Sequence, residues 1–188
     1  MKLLNNKPTA ILIMLIMILA GTFIGSHNSL SKLSSKAENT FYAGVNNDGL
    51  SIQSDLDKRS ELARNLVTVS SSYLPADTDV LTSVTSARDQ LKNASTIQDK
   101  AKANKALDEA VFNLYSLLEK QGITEKEELI NNFSKNPTRI YTDFRSFGDT
   151  IKHDKYNDYA KNFNNVLEGF PANLLSKLTL IKPLELFK

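Results

Sequence analysis

The chain has 188 residues, with 23 basic and 21 acidic side chains, a length that fits one domain and an attached segment. The absence of cysteine excludes disulfides, thiolate metal sites and a cysteine nucleophile. Lysines before residue 37 account for the formal charge of +2. The sequence contains neither a basic stretch with interleaved aromatic residues nor a glycine-rich phosphate loop. These observations argue against nucleic acid as a partner.

The N-terminal segment predicts a single-pass membrane anchor. No charge lies between Lys7 and Lys32, and Ala10 to Ile24 is almost entirely apolar. At about 1.5 Å per residue the uncharged stretch can cross a hydrocarbon core of about 30 Å. A cleaved signal peptide is the alternative, because Lys2 and Lys7 form a basic start, but no good cleavage site follows. We therefore predict that residues 1–37 are a retained anchor and flank, with the domain outside the cytoplasm.

Residues 38–188 are predicted to form an all-α domain after this N-terminal transmembrane helix, namely a long antiparallel bundle similar to a four-helix bundle. Glycine and proline are rare there, and apolar residues recur three or four positions apart. The first helix of the bundle is predicted from Ile52 to Leu74, and Asp77 or Thr78 caps the second.

Two capping boxes predict where later helices begin. Ser95 with Gln98 introduces the third, and Thr124 with Glu127 introduces a fourth that is interrupted before Pro137. The apolar spacing then resumes and predicts helix as far as residue 169.

An aromatic–amide repeat marks the end of this helical stretch. Tyr156-Asn157 and Phe163-Asn164 are followed, after another seven residues, by Phe170-Pro171. A seven-residue spacing returns to nearly the same helix face, so the three rings are predicted to line one buried seam. The apolar residues after Pro171 are predicted to close one end of the bundle, in preference to a membrane or partner contact.

The run from Leu56 to Val67, followed by Tyr73 and by Val84 to Arg88, resembles the signature of the LemA family. The Tyr-Asn, Phe-Asn, Phe-Pro series is similar to the end of the same family. The chain departs from the family pattern at Arg64, where the family usually has proline, and at His153, where it has arginine. The resemblance implies an N-terminal membrane anchor and a long helical bundle, and it implies no enzymatic activity or cofactor.

Five polar residues stand within or beside apolar stripes, where the resemblance is strongest. A polar group in a helical seam is favourable only when a partner satisfies it, so we predict that these residues are structural and at least partly buried. They are Arg59, Asn65, Arg88, Asn157 and Asn164.

The sequence contains no recognisable catalytic set. His153 lies in a charged stretch typical of a solvated histidine, and the Glu-x-x-His pairs of a metal-binding bundle are missing. We predict a non-enzymatic interaction or scaffold module of the cell envelope, without cofactor or metal, whose partners are membrane lipid around the anchor and another protein or a second copy. A lipid-binding or membrane-shaping protein is the alternative, and a carboxylate metal site in the bundle is a third hypothesis.

Overall fold

A computed structural model describes residues 7–75 and 78–188, and within them the chain is helical and contains no strand. The predicted all-α class is therefore confirmed. The helices are α1 (Lys7–Ala43), α2 (Ile52–Ser70), α3 (Asp79–Asn93), α4 (Ile97–Lys120), α5 (Glu127–Ile130), α6 (Pro137–His153), α7 (Tyr156–Glu168) and α8 (Ala172–Thr179). Asp77, one of the two predicted caps of α3, lies outside the described residues.

The fold divides into two compact units. The smaller unit comprises the chain up to Glu38 together with Asp158–Leu184, and the larger unit comprises Asn39–Asn157 with Glu185–Lys188. The division at residue 37 that the sequence suggests stays a prediction.

In the larger unit α2, α3, α4 and α6 form a helical bundle. α2 packs on α3 and α6, and α4 packs on α3 and also contacts α6 and α2. The short connection of residues 94–96 makes α3 and α4 antiparallel neighbours. The core consists of the apolar stripe of each helix, each fully buried large side chain contributing about 1.5–3 kcal/mol. It includes Leu56, Ala63, Leu66, Leu81, Val84, Leu91, Leu107, Val111, Leu114, Leu118, Ile140 and Phe144.

Two helix starts differ from the predicted capping boxes. Thr96, not Ser95, caps α4, and its Oγ1 accepts a hydrogen bond from the backbone N–H of Asp99 at 3.0 Å. The register moves by one residue because Ile97, the first helical residue, is buried. Thr124 lies inside the short 3-10 segment Ile123–Glu125, so it cannot cap α5. Ile123 is buried there, directly after α4 has ended.

The long helical stretch predicted up to residue 169 is broken into two helices. Pro137 does not interrupt a helix but begins α6, where Oδ1 of Asn136 accepts from the backbone N–H of Arg139 at 3.1 Å. α6 ends at His153, and Oδ1 of Asp154 accepts from the backbone N–H of Tyr156 at 2.7 Å. This local hydrogen bond satisfies a backbone N–H at the start of α7 that has no helical carbonyl partner.

In the smaller unit α1 shares an apolar cluster with α7, α8 and the following residues. Leu30 and Ala37 of α1 belong to it together with Phe163 and Leu167 of α7. Tyr159, Ala172, Leu175, Ile181 and Leu184 pack against the cluster. We call these nine side chains the anchor-base cluster. Part of the apolar C-terminal tail is therefore docked.

The N-terminal part of α1 lies outside this cluster. Large apolar side chains from Ile11 to Ile24 are mostly exposed. The helix contains a window of mean hydropathy 2.3 and is long and apolar enough to cross a membrane by length and composition.

Candidate functional site

Arg59 of α2 is the polar centre of the larger unit. Its side chain is only 1% exposed, and Nη1 donates to Oδ1 of Asn104 at 2.5 Å. Nη2 donates to the carboxylate of Asp108, and the guanidinium lies over the ring of Phe144 at 4.1 Å from its centroid. One side chain thus joins α2 to both α4 and α6.

The contacts of Arg59 offset a large desolvation cost. Burial lowers the pKa of Arg59, and the neighbouring carboxylate of Asp108 opposes that change. Asp108 is 52% exposed, so solvent screens the ion pair and much of the positioning comes from the hydrogen bonds and the ring contact. A Cβ atom added at Gly148 would lie 3.3 Å from Cζ of Arg59, so α6 approaches the guanidinium closely because this position has no side chain.

Two carboxyl groups of the larger unit, those of Asp55 in α2 and Asp154 after α6, have raised pKa values. Burial raises the pKa of Asp55, and repulsion by Asp154 raises it further, while Arg59 opposes the change. Burial likewise raises the pKa of Asp154, although its hydrogen bond from Tyr156 acts against this. Folding therefore disfavours the ionised form of both groups.

Arg88 of α3 is half-buried and connects two helices. Its Nε donates to the backbone carbonyl of Ser60 in α2 at 2.9 Å. This hydrogen bond joins α3 to α2, and the structural role of Arg88 stays a prediction.

The two predicted asparagines of α7 both form hydrogen bonds with the backbone of the C-terminal tail. In the larger unit, Nδ2 of Asn157 donates to the carbonyl of Phe187 at 2.8 Å, and Oδ1 accepts from the N–H of Phe187 at 2.9 Å. In the smaller unit, Asn164 makes the same pair of bonds with Leu184, at 3.0 and 2.8 Å. Each side-chain amide exchanges two hydrogen bonds with one residue, as paired residues of neighbouring strands do.

The aromatic half of the repeat is only partly as predicted. Tyr156 is fully buried, with its ring 5.2 Å from that of Phe41, and its hydroxyl donates to the carbonyl of Glu185 at 2.5 Å. Phe163 is buried in the anchor-base cluster. The prediction that Phe170 lines the same seam is wrong, because α7 ends at Glu168 and Phe170 is 86% exposed.

The LemA family model matches residues 50–188, which comprise α2 to the end of the chain and include all five predicted polar residues. The chain belongs to the LemA family. A comparison with curated proteins gave no match. Within the matched LemA residues, α2 carries Arg59, α3 carries Arg88, and α7 carries the two asparagines that bond the C-terminal tail.

Sequence reasoning missed three partners in this LemA domain. Asn104 lies three residues before Leu107 on the apolar face of α4, so the helical periodicity contained a signal for it. Asp108 gave no comparable signal, because it is on the exposed side of the helix. Glu185 of the tail accepts a hydrogen bond from the backbone N–H of Gln98 at 3.0 Å and so satisfies the start of α4, a contact across 87 residues.

Asn65 is the exception among the LemA polar residues. It is half-buried, and within the described residues its amide makes no hydrogen bond. It lines an open cleft of about 400 Å³ between α2 and the segment that follows α5. The cleft is lined by Asn65, Thr68, Val69, Ser72, Tyr73, Leu129, Ser134 and Lys135. We call this the Asn65 cleft.

The Asp, Glu and His side chains of the described residues do not come together at a possible metal site. The described residues contain no group of three His, Asp or Glu side chains close enough to hold a metal ion. His27 is exposed, and Nδ1 of exposed His153 lies 2.8 Å from the carbonyl of Asp149. That the protein has no catalytic or metal site stays a prediction.

Proposed function

We propose that the protein is a non-enzymatic, membrane-anchored interaction module that binds an extended protein segment in the Asn65 cleft. The observation that carries the proposal is the amide of Asn65, which makes no hydrogen bond to any described residue. Arg59, Arg88, Asn157 and Asn164 each make at least one side-chain hydrogen bond inside the fold. Asn65 lies in the same α2 segment as Arg59 but lines an open cleft.

The chemistry of the cleft suits an extended backbone. An asparagine amide can both donate to a carbonyl and accept from an N–H of one residue, and Asn157 and Asn164 do this with the tail. Val69 and Leu129 supply apolar walls, and Tyr73 adds a ring. Paired main-chain hydrogen bonds with flanking apolar contacts are a recurring mode of peptide recognition.

Neighbouring residues offer further apolar contact. Ile130 and Phe133 follow the cleft wall at Leu129, and both are exposed, Phe133 by 67%. The guanidinium of Arg139 lies over the Phe133 ring at 3.2 Å from its centroid, which favours one position of this exposed ring. Exposed aromatic and apolar residues beside a cleft are typical of anchors at protein interfaces.

Membrane attachment makes a weak peptide contact effective. The uncharged stretch of α1 is long enough to span a bilayer, and an anchor of this kind confines the domain to the surface where its partner resides. In this proposal the domain lies outside the cytoplasm, and the partner is an extended segment of another envelope protein or of a second copy.

Photo-crosslinking in intact membranes tests the proposal. A photoreactive residue replaces Ser72 in the cleft, and a matched variant carries it at Ser146, an exposed serine of α6. We expect discrete adducts from position 72, few from position 146, and several-fold fewer from position 72 when Asn65→Ala is added. Equal adducts at both positions, or adducts insensitive to Asn65→Ala in a chain of unchanged helicity, would contradict the proposal.

A lipid-binding role is the second candidate function. It is favoured by the outward apolar side of α8, which lies in the same unit as the candidate membrane span.

A further inference from the structure

Helix α8 carries an apolar face that the smaller unit leaves uncovered. Its opposite side packs against the anchor-base cluster, which includes Leu30 of α1. The outward side presents Leu174 and Leu178, both more than half exposed, and the flanking Phe170 and Leu180 are almost wholly exposed. We call these four side chains the α8 face. Clustered exposed apolar residues mark a surface that meets something other than water.

The position of the α8 face along the chain favours lipid as its occupant. Leu30, which shares a cluster with α8, is the penultimate residue of the uncharged stretch from Pro8 to Ser31. Ile24, the last residue of the strongly apolar run, is about 9 Å from Leu30 along the helix axis. The headgroup regions extend a bilayer from a core of about 30 Å to about 40–45 Å in total, so Leu30 falls close to the membrane interface when α1 spans it.

The charge of this segment favours an anionic surface. Between residues 169 and 184 the only charged side chains are Lys177 and Lys182, both exposed, and Lys32 and Lys36 are exposed on α1 in the same unit. The acidic residues of the unit are Glu38, Asp158 and Glu168. Each lysine close to an anionic leaflet contributes about 1 kcal/mol, or about fivefold in affinity.

We infer that α8 lies in the interfacial plane of an anionic leaflet, with the α8 face in the boundary between headgroups and acyl chains. A short amphipathic helix with leucine and phenylalanine on one side and lysine beside them has the composition of such an element. The inference rests on the proposed anchoring by α1 and adds a second lipid contact to the same unit.

Single-cysteine labelling of the full chain tests this contact, since the native sequence has no cysteine. An environment-sensitive fluorophore is attached at Leu174→Cys or Leu178→Cys in vesicles of phosphatidylglycerol and phosphatidylcholine. Phe112→Cys on α4 is the matched control, because Phe112 and Leu174 are equally exposed at 55%. A label at Leu15→Cys in α1 reports independently whether the anchor is inserted. Circular dichroism confirms that each variant retains its helicity.

We expect the α8 labels to be quenched by lipid-attached nitroxides and to be protected several-fold from an aqueous quencher, relative to the Phe112 label. Lys177→Glu with Lys182→Glu should reduce this protection in anionic vesicles and leave it unchanged in pure phosphatidylcholine. Protection should persist at one chain per vesicle.

Three results would overturn the inference. In the first, the α8 labels are as accessible to the aqueous quencher as the Phe112 label, although the Leu15 label is in the bilayer. This result would contradict the α8 contact and leave the proposed anchor intact. The second is protection that disappears on dilution to one chain per vesicle, which assigns the α8 face to a second copy. The third is protection unaffected by the double charge reversal, which removes the anionic leaflet as occupant. Exposure of the Leu15 label itself would instead refute the proposed anchor.

Discussion

Asn157 and Phe187 are joined by two hydrogen bonds that involve only the backbone of Phe187, at 2.8 and 2.9 Å. The ring of Phe187 separately lies 5.8 Å from that of Phe41. The amide contact is therefore independent of the side chain at position 187, and the ring contact is independent of Asn157. Within the larger unit, Phe187 is therefore held by two contacts that mutation can separate.

Asn157→Ala should lower the free energy of unfolding by about 1–3 kcal/mol, because it leaves the N–H and carbonyl of Phe187 without their partners. Thermal melts of the full chain in detergent measure this. Asn162→Ala is the matched control, since Asn162 is an exposed amide of the same helix, and it should change stability by about 0.5 kcal/mol or less. Equal melting of the two variants would contradict the structural role of Asn157.

Removal of residues 184–188 should destabilise the chain more than Asn157→Ala does. The truncation removes the partners of both asparagines, the ring of Phe187 and the carboxylate of Glu185 at the start of α4. Each buried group left unpaired costs about 1–3 kcal/mol, and the half-buried ring of Phe187 adds the apolar area that it covers. Deletion of the exposed Lys188 alone is the control, and denaturant titration compares the two. A truncated chain as stable as this control would show that the tail does not support the fold.

Arg59→Ala should cost about 1–3 kcal/mol, because it removes the partner of buried Asn104 and the group that joins three helices. Arg64→Ala, an exposed arginine of the same helix, should cost about 0.5 kcal/mol or less. Chemical denaturation of both variants provides the comparison. Similar losses in the two variants would mean that Arg59 contributes little beyond its charge.

Gly148→Ala should depend on the residue at position 59. Alanine is favoured over glycine in a helix by about 1 kcal/mol, but in the native chain its Cβ would press against the Arg59 guanidinium. The substitution should therefore be more favourable in an Arg59→Ala background than in the native chain. A double-mutant cycle measures the difference, and strict additivity would argue against the close approach.

Asp55→Asn should stabilise the protein at neutral pH. Folding raises the pKa of Asp55 above its ordinary value of 3.8, so the folded state binds the proton more tightly than the unfolded state. The associated stability is fully present below the unfolded pKa and is lost as pH rises through the folded pKa. The difference between native and variant should thus shrink as the pH falls below 3.8.

Melts of the Asp55→Asn variant across this range test the sign. In an Asp154→Asn background the gain at neutral pH should be smaller, because one source of repulsion is already absent. A stabilisation that is the same at every pH would exclude titration of Asp55 as its cause.

The N-terminal segment should be retained in the mature protein, because its long uncharged stretch has no good cleavage site. Membrane fractionation with N-terminal sequencing measures this outcome. A soluble product that begins after Ala20 or Thr22 would identify the segment as a signal peptide.

Local sequence was sufficient to predict the helical class, the membrane-compatible segment and most of the buried stripes. The stripes depend on residues three, four or seven positions apart, and the membrane-compatible segment depends on a long run without charge. The same reasoning identified Arg59, Asn157 and Asn164 as residues that need partners, because a polar side chain on an apolar helix face is costly when unpaired.

The identity of those partners was decided only by the tertiary structure. Asn104 is 45 residues from Arg59, Phe187 is 30 from Asn157, and Glu185 is 87 from Gln98, so no local pattern relates them. The spacing of residues likewise could not predict where α7 ends. The seven-residue repeat continues in the sequence to Phe170, but the helix ends at Glu168 and the third ring turns outward. A repeat determines a helix face only while the helix continues, and where it ends depends on the packing of distant segments.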